Sequence, residues 1–97
     1  MKNPDGTHTF DPGWEEHAKH IPPGTLDNIK AYVEKRRSPS NSLRAILYND
    51  LTGAILYADS DNLAAMRHIV ALLFHHCPYG CWGTKKRVQE WLAGRKS

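Results

Sequence analysis

From Leu26 to Leu92 the apolar residues recur at spacings of three and four, and no hairpin signal interrupts them. That period belongs to helices with one buried stripe, not to strands. The chain therefore reads as all-α, a compact bundle of about four helices preceded by an irregular N-terminal arm. Leu26, Ile29, Tyr32 and Val33 set a first helix from about Leu26 to Arg36, with Thr25 as its N-cap after "PPG". Leu43, Ile46, Leu47, Leu51, Ala54, Ile55 and Ala58 set a second, from about Asn41 to Tyr57. Within it, Gly53 marks either a close helix crossing or a break. Leu63, Met66, Ile69, Val70, Leu73 and Phe74 set a third, from about Asn62 to His76, ended by Pro78. Val88, Trp91 and Leu92 set a short fourth, from about Lys85 to Ala93, capped by Thr84 and stopped by Gly94.

Residues 1–22 lack this period and hold Pro4, Gly6, Pro12, Gly13 and Pro22. They read as an irregular arm with one short turn near Trp14 to Lys19, pinned by Phe10 and Trp14. Residues 23–94 are then the helical domain and 95–97 a basic tail. Ninety-seven residues suffice for one core. The longest apolar run, Ile69 to Phe74, is far too short to span a membrane. No secretory h-region opens the chain. Two cysteines are too few for a disulfide scaffold. The expected setting is a reducing cytoplasm.

The net charge of +3 is uneven. Between Gly83 and Ser97, Lys85, Lys86, Arg87, Arg95 and Lys96 face a single acid, Glu90. A basic end favours anionic partners, and its simplest alternative is a solvated face.

Chemistry-bearing residues concentrate in "FHHCPYGCWGTKKR", residues 74 to 87. His75, His76, Cys77 and Cys81 are zinc-ligand types, but all four fall within seven residues. Structural zinc sites draw on two separated pairs, and adjacent helical residues diverge by about 100°. No metal site and no cofactor are expected. Cys81 lacks a signature for nucleophilic catalysis. The corner reads first as a plug: Pro78 stops a helix, Gly80 and Gly83 allow a tight turn, and Cys81 and Trp82 fold inward, the indole N–H meeting a carbonyl.

Lys85, Lys86 and Arg87 stand where the helix dipole disfavours cations. The same placement suits an anion, because free N–H groups, dipole and basic side chains then act together. Trp82, Thr84, Lys85, Lys86, Arg87 and Asn49 are accordingly the candidate contact residues for a ligand or partner. Asp50 falls inside the second apolar stripe and needs a partner if buried; Arg67 is the expected one. His68, Leu72 and His75 share the face of the third helix away from its stripe, a candidate self-association surface.

The skeleton Tyr32–Val33–Glu34, Asn49–Asp50–Leu51, Ala58–Asp59 to Asn62, Ile69–Val70 and Cys81–Trp82–Gly83 resembles a group of small accessory proteins encoded by phages, prophages and their bacterial hosts. The match runs from Pro22 onward. "KKR" at 85–87 departs from the more acidic or neutral corner expected of relatives. The resemblance implies a non-enzymatic protein acting stoichiometrically, as an inhibitor of a host defence protein or a binder of a small nucleotide signal. The partner would be a host protein or a phosphate-bearing small molecule, with homo-oligomers allowed. Two further readings are a DNA-binding module built on the short basic helix and a cysteine- or metal-dependent enzyme.

Overall fold

The computed structural model describes residues 10–78 and 80–94. Among these residues there are seven helices and no strand: α1 (Glu15–Ala18), α2 (Pro23–Lys35), α3 (Asn41–Leu47), α4 (Leu51–Tyr57), α5 (Ser60–Ala64), α6 (Met66–His76) and α7 (Lys85–Leu92). The all-helical expectation holds, while two of the four expected helices divide. No helix among the described residues is long and apolar enough to cross a membrane.

Asn41 to Tyr57 is two helices rather than one. Asn49 has φ of 63°. Its N–H donates to the Ile46 carbonyl, and the Asp50 N–H donates to that of Ala45. This is the Schellman closure, and asparagine tolerates the left-handed backbone it needs. Asp50 then starts α4 as N-cap, its carboxylate accepting from the Gly53 N–H at 3.2 Å. Gly53 is not the break. It is buried in the α3–α4 corner, where a Cβ would lie 2.5 Å from the Asp50 carboxylate and 3.1 Å from the Ala45 side chain. The third expected helix is likewise interrupted, at Ala65, between α5 and α6.

Thr25 is not the cap of α2. Pro22 takes that place and Pro23 opens the helix, where its missing N–H costs nothing. The Thr25 hydroxyl instead hydrogen-bonds the Asn62 side chain and ties α2 to α5. α7 begins and ends as expected. Thr84 accepts from the Arg87 N–H at 3.1 Å, and Gly94 has φ of 80°.

The core gathers Ile29, Tyr32 and Val33 of α2, Leu43 and Leu47 of α3, Ile69, Leu72 and Leu73 of α6, Cys81, and Val88 and Trp91 of α7. α2 and α7 are stitched together by polar bonds as well. The Trp91 indole N–H donates to the Tyr32 carbonyl at 3.0 Å, and Arg36 donates to the Trp91 carbonyl at 2.8 Å. The Arg36 guanidinium also stacks 3.9 Å from the Trp91 ring centroid. The segment before α2 is part of this body. Phe10, Ala18 and Ile21 are buried, and the Asp11 N–H donates to the His76 carbonyl at 2.7 Å.

The face that α6 turns inward corrects the expected stripe. Of that stripe Ile69 and Leu73 are buried and Met66 packs partly buried against the core, whereas Leu63, Val70 and Phe74 are exposed and Ala65 and Leu72 are buried instead. At 3.6 residues per turn the buried face is rotated by roughly a quarter of a turn from the expected one. The cause is α1, which packs along α6 and covers the side that had been assigned to solvent.

Candidate functional site

Three residues singled out separately in the sequence come together. Asn49, Trp82 and Arg87 share one cleft of about 560 Å³, with Phe74, His75 and Gly83 among its other walls and Leu73, Cys77 and Pro78 beneath. The Schellman turn after α3 presents Asn49. The Gly83 N–H donates to the Leu47 carbonyl at 2.7 Å, which clamps the Cys81–Trp82–Gly83 bend against the end of α3. α7 then starts with Arg87 one turn in, on the cleft side. One wall is aromatic: Phe74 is 72% exposed, and Trp82 is half-buried. Arg87 supplies positive charge, while Asp11 adds a carboxylate on the opposite side of chemistry.

The other candidate contacts separate from this cleft. Lys85 and Lys86 are exposed on the first turn of α7, and Lys86 borders a shallow hollow with Gln89 and Glu90 instead. The Thr84 hydroxyl is engaged as the N-cap.

The plug reading is half correct. Cys81 is in the core at 0% exposure, but Trp82 lies at the rim. The indole expected to meet a carbonyl is that of Trp91. The buried Tyr32 hydroxyl donates to the Cys81 carbonyl and holds the bend from below, and burial pushes its pKa far up. The Cys77 thiol hydrogen-bonds the Cys81 thiol. That bond first, and burial second, push Cys77 well above the usual thiol range. Both thiols are free. A thiol pushed up in this way and tied to a core neighbour is the opposite of an activated nucleophile.

Asp50 and Arg67 do not pair. Both are exposed, and Asp50 spends its carboxylate on the α4 cap. The helix break that the stripe concealed is what moves Asp50 from an interior position to a terminus. His68, Leu72 and His75 do not form a self-association face. Leu72 is fully buried under α1, and His75 is exposed at the cleft.

The covered side of α6 holds a histidine seam. His17 lies 6.0, 6.3 and 5.6 Å, centroid to centroid, from His68, His75 and His76, and His20 stacks on His68 at 4.1 Å. The Nδ1 atoms of His68 and His76 are buried without a hydrogen-bond partner. Even so, among the described residues no three His, Cys, Asp or Glu side chains converge as a metal ion requires.

A second concavity escaped the sequence reading. A groove of about 230 Å³ runs between α4 and α6, with Leu51, Ile55, Leu63, Met66 and Val70 on its walls and Trp82 and Asn49 where it adjoins the cleft. Its residues carry ordinary helical periodicity, so nothing in the sequence separates them from core. Compared with family models, curated proteins and solved structures, the chain finds no match in any of the three.

Proposed function

We propose that this chain acts by stoichiometric binding, as a small phage-type accessory protein, and that its ligand is a phosphate-bearing small molecule of the nucleotide class. The single observation behind this reading is the convergence of Trp82, Asn49 and Arg87 on one cleft. The half-buried Trp82 indole and the exposed Phe74 ring offer a stacking surface for a base, which is worth about 1–3 kcal/mol per base where it has been measured. A guanidinium offers a planar fork for phosphate. Asn49 adds both donor and acceptor for a base edge. The raised pKa of the Cys77 thiol and the full burial of Cys81 favour binding over cysteine catalysis. The phage-type context rests on the sequence skeleton alone.

A stoichiometric inhibitor of a host protein is the second reading, favoured by the 72% exposure of Phe74 beside the basic first turn of α7. A DNA-reading helix has less support, because α7 has eight residues and spans only about 12 Å.

The test is titration with mono-, di- and cyclic nucleotides, read by melting temperature and tryptophan fluorescence. At least one is expected to bind saturably, and Trp82→Ala or Arg87→Glu should weaken it at least about tenfold. Lys85→Glu with Lys86→Glu lies outside the cleft and should weaken binding less than Arg87→Glu, through charge at a distance alone; acids at the start of α7 suit its dipole, so melting temperature should hold or rise slightly. No response to any nucleotide sinks the reading, as does equal binding by wild type and all variants.

A further inference from the structure

The two cysteines of the chain are set face to face by the way α6 ends. Cys77 is its C-cap, with an extended backbone at φ −83° and ψ 153°. Pro78 forces that conformation on the residue before it. The chain then reverses: the Cys81 N–H donates to the Pro78 carbonyl at 3.4 Å, and Gly80 takes φ of 85°. The reversal turns the side chains toward one another, and the Cys77 thiol hydrogen-bonds the Cys81 thiol. Facing side chains meet the geometric requirement for a disulfide, which side chains pointing apart would fail. The bend is also fixed independently of the thiols. The Tyr32 hydroxyl donates to the Cys81 carbonyl, and the Gly83 N–H to the Leu47 carbonyl.

The surroundings of the two thiols divide the labour between them. Cys81 is fully enclosed in the core. Cys77 is half-buried and contributes to the cleft beside Pro78, Gly80 and Trp82. A dissolved reagent therefore meets Cys77 first, with the enclosed thiol already in contact behind it.

We propose that Cys77 and Cys81 form a reversible redox pair, closed by exchange with a low-molecular-weight disulfide such as glutathione disulfide. The Cys77 thiol loses its proton, and its sulfur attacks one sulfur of the reagent. That expels a first thiolate and leaves a mixed disulfide. The Cys81 thiol then loses its proton, and its sulfur attacks that of Cys77 and expels the second thiolate. In sum, two protein S–H bonds and the reagent's S–S bond break, and one protein S–S bond forms. The reagent takes up both electrons and both protons and leaves as two thiols. The new bond fastens the end of α6 to the bend that carries Trp82, and excess thiol reopens it. The pair is independent of the nucleotide reading, since it needs nothing bound in the cleft.

The bond to Cys81, burial and the Asp11 carboxylate all push the Cys77 thiol up. Exchange is therefore slow at neutral pH and quickens as pH rises. Asp11, His75 and Arg87 are the charged and titratable groups that share the cleft with it, and the Tyr32 hydroxyl, pushed far up, stays neutral.

Intact mass of the full chain, reduced and then held with excess glutathione disulfide at about pH 8, gives the test. The wild type should lose about 2 Da, the mass of two hydrogens, and dithiothreitol should restore it. Cys81→Ser should stop at the mixed disulfide on Cys77. Cys77→Ser should react at least about tenfold more slowly, because Cys81 is enclosed. Tryptic digestion adds a check that needs no variant. No Lys or Arg lies between Arg67 and Lys85, so one peptide carries both cysteines, and after oxidation both should resist alkylation. A wild type that keeps its reduced mass overturns the proposal, as does one that accumulates as the mixed disulfide or as a dimer bridged between chains. Oxidation that proceeds only with loss of helical circular dichroism overturns it too, since the thiols would then meet only in the unfolded chain.

Discussion

The two sides of α6 were treated oppositely by the fold. One side, with Ala65, Ile69 and Leu72, is covered by α1 and buried. The other, with Val70 and Phe74, is left at the surface. The covered side also carries His68 and His76, and its cover contributes His17 and His20. Side-chain hydropathy alone favours the reverse arrangement, with the leucine- and phenylalanine-bearing stripe inside and the imidazoles outside. What overrides it is chain geometry. Phe10 and Ile21, at either end of the α1 segment, are both anchored in the core, so the segment between them has to lie along α6. A four-residue helix with one buried alanine can then claim a face it could not have won by its own apolar area.

The largest effect expected from this contrast comes from truncating one residue on each side. Leu72→Ala should cost about 2–5 kcal/mol, since Leu72 is fully enclosed and leaves a cavity. Phe74→Ala should stay within about 0.5 kcal/mol, as exposed substitutions do. Urea unfolding at low micromolar concentration measures both. Equal losses would erase the distinction between the two sides.

Lifting the cover is the next largest. Ala18 is the single buried residue of α1. Ala18→Glu forces a carboxylate toward α6 or the helix away from it, and should cost about 1–3 kcal/mol. Amide exchange should then quicken in residues 11–21 while α2 and α7 stay protected. If exchange quickens uniformly instead, α1 is part of the cooperative core rather than a cover.

The same contrast explains what the sequence could and could not disclose. Helix type was legible throughout, because period, caps and the stops at Pro78 and Gly94 are local signals. So was the corner as a place of interest, since Trp82 and Arg87 belong to one short segment. Coverage was not legible. Leu63, Val70 and Phe74 have the spacing of a core stripe, and only the path of residues 10–22 decides that they are not one. The break at Asn49 was concealed for a related reason: α3 and α4 each continue the apolar period across it. Asn49–Asp50 was the available signal, since asparagine suits a left-handed turn and aspartate an N-cap. Missing it also made Asp50 look buried and gave Arg67 a partner it does not have.

The smallest effect is the one that reads the histidine seam directly. His68 is held below its ordinary pKa, about 6.5. Burial is the main cause, and the charges of His20, His17 and Arg67 add to it. Lys19 and Asp61 border the same hollow beside His20 and His68. A histidine in that position binds its proton less well in the folded chain than in the unfolded one. Its contribution to stability is therefore complete above the unfolded value, where both states are neutral. It is lost as pH falls through that value towards the folded one, because the unfolded chain takes up the proton first. Wild-type melting temperature should accordingly decline between about pH 7 and about pH 5. His68→Gln keeps a polar side chain of similar reach and removes the titration, so part of that decline should disappear while the melting temperature at neutral pH changes little. Carboxylate titrations near pH 4 lie below this window and should be common to both proteins. A variant whose pH profile runs parallel to the wild type would mean that the covered side of α6 tolerates its imidazolium charges. The contact between α1 and α6 would then rest on Phe10, Ala18 and Ile21 alone.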